Sequence, residues 1–123
     1  MSEEIVEKSE TKVEQKPNIT FETFLSLDIR VCEVLDAERV PKTDKLIKLT
    51  INTGIDEREC VTNLGALYQA EEFKGKKIPF ILNLEPTTIK KIESKAMIFI
   101  PDTKGDIFNK YNDFEIGEII FTK

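Results

Sequence analysis

The strongest constraint on the fold is a strict alternation of apolar and polar residues near the middle of the chain. Ile47, Leu49 and Ile51 are separated from one another by single polar residues, and this period of two is typical of a β-strand with one buried face. A glycine-containing turn follows at 53–56, and residues 57–62 can pair back onto the first run as a hairpin. The segment therefore predicts two neighbouring antiparallel strands.

Further strands are predicted on both sides of this hairpin. Residues 27–37 form an earlier strand whose apolar positions change phase in its middle, which suggests a bulge or a bend. Residues 77–83 form a fourth strand, in which Pro79 implies an edge position or a bulge. Residues 96–100 form a fifth strand, and residues 119–121 can add a short last one.

Two helical segments are predicted, one before the first strand and one between the third and fourth. Thr20 is a favourable cap for a short helix that places Phe21 and Phe24 on one side. Residues 63–73 change to a helical period and predict one helix between the third and fourth strands, which ends at Gly75. Five short strands with one interposed helix predict an all-β fold, a five-stranded closed barrel of the oligonucleotide/oligosaccharide-binding type, the OB-fold.

Composition and charge divide the chain into two regions. Residues 1–17 are polar and acidic, with apolar residues too sparse for a packed face, so they predict a disordered tail before a domain at 18–123. Residues 1–16 contain five Glu and three Lys, a net charge of -2, and the remaining 15 basic and 18 acidic residues contribute -3, which sums to the chain's -5. An anion-binding site must therefore come from local clustering of basic residues.

Lysines are concentrated in the two loops with which such barrels bind nucleic acid, those between strands one and two and between strands four and five. Two further basic residues lie on strands two and three, whose face also binds in such barrels. The basic residues predicted to contact an RNA backbone are Lys42 and Lys45 in the first loop, Lys48 and Arg58 on the strands, and Lys90, Lys91 and Lys95 in the second loop, residues 84–95.

The same lysines have a second interpretation, as ordinary solvated side chains of a charge-rich protein. Asp44, Glu57, Glu85 and Glu93 lie nearby in the sequence and weaken any positive field. Most Phe residues follow core-facing periods, so base stacking is not predicted. Tyr68 is the one candidate for an exposed aromatic, with packing under the helix as its alternative. The sequence favours recognition of RNA by shape and backbone over reading of bases.

The sequence contains no set of residues typical of an enzyme or of a metal site. There is no His, no glycine-rich phosphate loop and no nucleophile with a base partner. Cys32 and Cys60 match no zinc pattern and are predicted to be reduced, partly buried thiols. No signal peptide opens the chain, and no apolar run reaches the roughly 20 residues that span a bilayer. We therefore expect a cytoplasmic protein without catalytic residues, cofactor, metal ion or membrane partner.

Several short motifs occur in a characteristic order between residues 19 and 100. They lie at 19–25, 27–31, 37–46, 75–77, 83–86 and 92–97. In these motifs the chain resembles the tRNA-binding-domain family, which includes the C-terminal appendage of methionyl-tRNA synthetases, standalone tRNA-binding proteins and export-related chaperone-like proteins. Several positions differ from the family pattern, among them Glu85, which stands where Lys is common, and Ala96, which stands where Gly is common.

The resemblance implies an OB-fold domain that binds tRNA without catalysis. The expected molecule is a homodimer that is free-standing or assists a methionyl-type aminoacyl-tRNA synthetase in trans. The resemblance also implies that Phe21 and Phe24 lie at the dimer interface and that Ser94 contacts RNA beside the lysines. A homodimeric export-related chaperone for unfolded peptides is the alternative, since an acidic body suits basic or apolar peptides. A structural adaptor that docks on a partner through residues 1–17 is a third hypothesis.

Overall fold

The computed structural model describes residues 14–120. The disordered tail predicted over residues 1–17 falls mostly outside this range, and so does Phe121 of the predicted last strand. The elements in chain order are α1 (Phe21–Leu25), β1 (Ile29–Arg39), β2 (Ile47–Asn52), β3 (Glu57–Thr62), a 3-10 turn (Leu64–Ala66), α2 (Ala70–Phe73), β4 (Lys77–Ile81), β5 (Thr87–Ile89), β6 (Ile92–Ser94) and β7 (Met97–Ile98).

Strand β1 organises the sheet because it pairs with two partners in succession. Its residues up to Glu33 pair with β4, and its residues from Glu33 onward pair with β2. The sheet order is β3-β2-β1-β4-β7, with all pairs antiparallel. On the other side, the backbone N–H of Lys95 donates to the carbonyl of Glu59 at 2.9 Å and draws the end of β6 against β3. The result is a nearly closed, five-stranded antiparallel barrel, which confirms the predicted OB-like fold.

The alternation in β2 is confirmed by burial. Ile47, Leu49 and Ile51 are completely buried, whereas the polar residues between them are partly exposed. These side chains fill the barrel together with Phe73 of α2 and Phe80 of β4. Burial of large apolar side chains contributes roughly 1.5–3 kcal/mol each, so the barrel interior is the main source of stability.

The change of phase in β1 arises because the strand is buried on both faces. Cys32 faces the barrel core, while Val31 is covered from outside by the C-terminal segment. The N–H of Val31 donates to the carbonyl of Glu118 at 2.9 Å, and the N–H of Gly117 donates to the carbonyl of Val31 at 2.7 Å. A bulge is present, but it lies further along the strand, just before Asp36.

An aromatic cluster closes one end of the core. Tyr68, Phe73 and Phe108 pack edge to face, with ring centroids 5.1–5.8 Å apart, a favourable geometry for aromatic pairs. Tyr68 is 2% exposed, and its hydroxyl donates to the carbonyl of Gly105 and accepts from the N–H of the same residue. Tyr68 is therefore packed under the helix, as its alternative interpretation predicted, and it offers no stacking platform.

The helical segments are shorter than the sequence predicts. Thr20 caps α1 as expected, since its hydroxyl oxygen accepts from the N–H of Thr23 at 3.0 Å. The single helix predicted at 63–73 is instead a 3-10 turn followed by the four residues of α2. The break lies at Gln69, whose backbone is extended (φ -84°, ψ 150°) and which caps the start of α2 with Glu72. No helix in the described part of the chain is long and apolar enough to cross a membrane.

Pro79 does not mark an edge strand. Strand β4 lies between β1 and β7, and it pairs with β1 without a shift of register. Its ladder with β7 involves Phe80 and Ile81 only. Pro79 lies opposite Phe99, just after β7, and its carbonyl accepts from the N–H of Phe99 at 2.9 Å. A proline has no N–H to return that bond, so the ladder between β4 and β7 ends at Phe80.

Candidate nucleic-acid interface

The first lysine-bearing loop, residues 40–46, is a closed turn between β1 and β2. The backbone N–H of Val40 donates to the carbonyl of Leu46 at 3.0 Å across its base. Lys42 and Lys45 are both exposed, and Lys42 has a φ of 65°. The turn therefore holds two ammonium groups outward on a short, internally bonded backbone.

The second lysine-bearing loop, residues 84–95, contains the β5–β6 hairpin where the sequence predicts no strands. Ile89 pairs with Ile92, so Lys90 and Lys91 form a two-residue turn at its tip. Their φ angles are 50° and 68°. Positive φ at both central residues is the mark of a type I′ turn, for which Asn-Gly is the usual sequence. Two lysines there hold backbone strain of about 1–2 kcal/mol each.

Backbone strain coincides with the predicted RNA contacts. Within residues 14–120, the non-glycine residues with positive φ are Lys42, Lys90 and Lys91. In the same range, these three residues and Lys45 form no ion pair with a carboxylate. Strained backbone is found preferentially at functional sites. Four lysines on two rigid turns are thus available to a ligand that carries negative charge.

One apolar groove, of about 340 Å³, runs between the two lysine-bearing loops. Leu46, directly after Lys45, lines it together with Ile89, which directly precedes Lys90. Met97 of β7 also lines the groove and is 44% exposed. The two loops therefore flank one surface feature, at the place where the sequence predicts a binding surface.

The face of β2 and β3 differs from the loops because its basic residues are neutralised. The Lys48 ammonium lies 3.0 Å from Glu38 and 3.7 Å from Glu59, and the hydrogen bond that it donates to Glu38 raises the pKa of Lys48. Lys95, at the edge of this face, lies 3.7 Å from Glu93 and is half exposed. The adjoining shallow pocket is lined by Thr50, Glu57, Arg58, Glu59, Glu93 and Lys95. This face carries no excess positive charge toward a phosphate.

Arg58 and Ser94, both predicted RNA contacts, are engaged within the protein. The Arg58 Nε donates to Asp56 at 2.9 Å, and this hydrogen bond lowers the pKa of the Asp56 carboxyl. One terminal nitrogen of Arg58 donates to the carbonyls of Leu82 and Lys95 at 2.6 and 3.3 Å. Ser94 is 7% exposed, and its hydroxyl oxygen contacts backbone groups of neighbouring residues. Both side chains therefore join segments of the barrel.

Arg39 has a comparable role that the sequence does not reveal. Its two terminal nitrogens donate to the carbonyls of Asp44 at 3.1 Å and Gly65 at 2.8 Å. These carbonyls belong to the first lysine-bearing loop and to the 3-10 turn after β3. A lone arginine at the end of a strand gives no indication of such contacts, which depend on a turn 26 residues away.

Phe21 and Phe24, the residues predicted at a dimer interface, lie on an apolar surface. Phe21 is 64% exposed, and the two rings lie 6.0 Å apart. Phe24 lines a groove between α1 and the C-terminal segment, to which Ile119 also contributes. Asn83 holds this region in place by accepting from the N–H of Asp28 and donating to the carbonyl of Ser26. The exposed residues of α1 thus include the large apolar side chains of Phe21 and Leu25 beside the polar Glu22 and Thr23.

The two cysteines are free and fully enclosed by the core. Burial raises the pKa of both thiols, Cys32 and Cys60, to about 12. They are therefore protonated and unreactive at neutral pH. The thiols are free, as predicted, and more deeply buried than the partial burial that the sequence predicts. Within residues 14–120, no group of three or more Cys, Asp or Glu side chains is arranged to hold a metal ion.

A sequence profile described as "Putative tRNA binding domain" matches residues 29–118. Similar curated proteins include methionine–tRNA ligases. The enzyme of Methanothrix thermoacetophila is 40% identical over 95 residues, which is 77% of this chain and 14% of that protein. The enzyme of Porphyromonas gingivalis is 48% identical over 81 residues, 66% of this chain and 12% of that protein. The chain thus spans about one seventh of the length of these relatives.

Similar solved structures include a MetRS related protein from Pyrococcus horikoshii. It superposes with a TM-score of 0.77 at 28% identity and covers 86% of this chain and 100% of that one. The chaperone CsaA from Bacillus anthracis superposes with a TM-score of 0.73 at 22% identity, over 85% of this chain and 100% of that one. At that low identity, the second likeness establishes the fold alone.

Proposed function

The chain belongs to the family of putative tRNA binding domains, and we propose that it is a non-catalytic module that binds tRNA by its shape and backbone. Methionine–tRNA ligases contain a similar segment, which supports a role beside a methionyl-type synthetase in the cytoplasm. In that role the module adds affinity for tRNA, while the synthetase performs the chemistry. The proposal applies equally to a free-standing protein and to part of a longer one.

The observation that carries the proposal is that two loops, which contain Lys42, Lys45, Lys90 and Lys91, each contribute an apolar residue to one groove. All four are exposed, and none forms an ion pair within residues 14–120. Ammonium groups at this density bind phosphates through release of counterions, without reading sequence. A chain with a net charge of -5 gains such an attraction only where its lysines are free of carboxylates.

Binding by shape agrees with the chemistry of the groove. Its lining is largely apolar and contains no aromatic ring, with the exposed Met97 beside the partly buried Ile98 and Ile100, and with Asp102 as its one carboxylate. Stacking of single-stranded bases normally uses aromatic side chains. The groove therefore suits contact with a ribose or a base face at a folded corner of tRNA, and the lysines then set the orientation of the backbone. Lys95 is a candidate further contact, because its ion pair with Glu93 is long and exposed.

We also propose that two copies associate through the surface of α1. Ile19, Phe21 and Leu25 are 65%, 64% and 51% exposed, and Ile119 beside them is 52% exposed. Exposed apolar side chains of this size, clustered on one surface, are typical of an interface between subunits. A dimer presents two lysine-bearing surfaces to one tRNA, which raises the effective affinity without new contacts.

The chaperone hypothesis receives less support. The likeness to chaperone CsaA concerns the fold alone, at 22% identity. The acidic residues on the β2–β3 face are partly neutralised by Lys48, Arg58 and Lys95, so a strong attraction for basic peptides has no clear origin there. Suppression of client aggregation that does not change when the loop lysines are replaced would favour this second function.

A titration of bulk tRNA against the protein, by gel shift at two salt concentrations, tests the proposed function. We expect salt-dependent retention that is abolished by the double change Lys90→Glu and Lys91→Glu. The matched control is Lys104→Glu with Lys110→Glu, which alters two exposed lysines of another loop by the same charge. Absence of tRNA retention in the unmodified protein at low salt would refute the proposal. Equal losses of tRNA retention in both variants would show that the binding depends on net charge and not on the hairpin lysines.

A further inference from the structure

Two arginines connect the lysine-bearing loops to the barrel. Arg39 donates from separate terminal nitrogens to the carbonyls of Asp44 and Gly65. The Gly65 N–H donates in return to the carbonyl of Lys45 at 2.7 Å. The guanidinium thus joins the loop of Lys42 to the turn after β3. The two connected segments are far apart in sequence, so the contact fixes a tertiary position.

The space at this junction is very small. A Cβ atom on Gly65 would lie 2.6 Å from the carbonyl oxygen of Lys45 and 2.7 Å from a terminal nitrogen of Arg39. Non-bonded atoms do not approach that closely without displacement. Gly65 therefore lets the backbones of the loop and of the 3-10 turn meet the Arg39 side chain at one point, which restrains the first lysine-bearing loop.

Arg58 makes the equivalent connection for the second loop. The carbonyls of Leu82 and Lys95, to which it donates, lie just before and at the end of the segment that contains the β5–β6 hairpin. Asp56 fixes the guanidinium from behind through Nε at 2.9 Å. The side chain is only 20% exposed. One arginine therefore holds together both ends of the loop whose tip carries Lys90.

We propose that Arg39 and Arg58 are positioning residues, each of which holds one lysine-bearing loop at the spacing that the tRNA backbone requires. The inference rests on the proposed tRNA-binding function. A guanidinium is planar and directs several N–H donors at once, whereas an ammonium group is a compact point charge. Replacement of arginine by lysine therefore keeps the charge and removes the connection.

Double-mutant cycles test the proposal, with tRNA affinity as the measurement. Arg39→Lys is expected to weaken binding about fivefold in the otherwise unmodified protein and in the Lys90→Ala, Lys91→Ala background. In the Lys42→Ala, Lys45→Ala background the same change should have less than about a twofold effect, because no lysine remains in that loop to be positioned.

Arg58→Lys should show the opposite pattern. Its roughly fivefold effect should disappear in the Lys90→Ala, Lys91→Ala background and persist in the other. Arg30→Lys is the matched control, since Arg30 also bonds an aspartate two residues away and a backbone carbonyl, that of Gly117. Its effect should be the same in both lysine backgrounds.

Each result of the double-mutant cycles either supports or overturns the positioning role of the two arginines. Equal effects of Arg39→Lys in all backgrounds would overturn the proposal, because a general loss of structure or of charge is not specific to one loop. Thermal unfolding identifies any variant that does not fold. If Arg39→Lys does not fold, Gly65→Ala is measured in its place, since it displaces the same loop from the other side. Its effect on tRNA affinity should likewise disappear in the Lys42→Ala, Lys45→Ala background. Failure of the unmodified protein to bind tRNA would refute the proposed function itself.

Discussion

The side-chain oxygen of Ser94 accepts a hydrogen bond from the backbone N–H of Val61 at 3.0 Å, across the seam of the barrel. The Ser94 hydroxyl lies 3.3 Å from the carbonyl of Ala96, to which it donates. Both partners are buried, and Ser94 itself is 7% exposed. A residue first predicted to touch RNA thus completes the backbone hydrogen bonding where β3 meets the end of β6.

Replacement of Ser94 by Ala should therefore reduce stability. The buried N–H of Val61 loses its partner, which costs about 1–3 kcal/mol of the free energy of unfolding. Urea denaturation measures the loss, and Thr88→Ala, at an exposed position of β5, is the control with no expected effect. Unchanged stability together with weakened tRNA binding would show instead that the Ser94 hydroxyl reaches the ligand.

The strained hairpin tip leads to a second prediction. Lys90→Asn with Lys91→Gly gives the turn residues that tolerate positive φ, so we expect an increase of about 1 kcal/mol in the free energy of unfolding. The same variant loses two ammonium groups, so its tRNA affinity should fall. Lys90→Ala with Lys91→Ala removes the charges but keeps the strain, and it should weaken binding without the gain in stability. Urea denaturation of both variants checks the gain in stability that only the Asn-Gly variant should show, and tRNA titration checks the loss of affinity expected of both.

The apolar surface of α1 predicts a dimer that a single charge disrupts. Phe21→Asp places a carboxylate where we expect a partner subunit, so sedimentation equilibrium should change from dimer to monomer. Ile55→Asp is the control, because Ile55 is 59% exposed at the β2–β3 turn, close to the 64% of Phe21. Monomeric unmodified protein at micromolar concentration would contradict the expectation.

The buried thiols predict a loss of stability at alkaline pH. Burial raises the pKa of Cys32 and Cys60 from 9.0 to about 12, so between these values the unfolded chain releases thiol protons that the folded chain retains. The contribution of the two protonated thiols to the free energy of unfolding is fully present below pH 9. It is lost as the pH rises from 9 toward 12. Urea midpoints measured from neutral pH upward should fall more steeply for the unmodified protein than for the Cys32→Ala, Cys60→Ala variant. Parallel curves would contradict the prediction.

Most of the fold is predictable from the sequence because period and turn residues are local signals. The alternation at Ile47, Leu49 and Ile51 gives β2 directly, and Thr20 gives the start of α1. The β5–β6 hairpin is not predictable in this way, since its turn consists of Lys90 and Lys91 and lacks the Asn or Gly that normally indicates a type I′ turn. The hairpin is held by its neighbours in the barrel.

The loop lysines are the part of the candidate site that the sequence predicts best, because exposed loops and charge are both readable there. The roles of Lys48, Arg58 and Ser94 depend on partners from other strands, such as Glu38, and no local pattern reports them. Arg39 was missed for the same reason. Its partner Gly65 lies in a turn that the helical period of residues 63–73 conceals.

The double pairing of β1 has a consequence for the order of folding. Its ladder with β2 closes a short loop, so it forms early, whereas its ladder with β4 must bring Ile29 to Ile81 from a large sequence separation. Contacts of that kind close late and slow the overall rate. Until they form, the first residues of β1 are an open, apolar strand edge. We therefore expect a partly folded chain to be most vulnerable to misassociation at Ile29 and its neighbours.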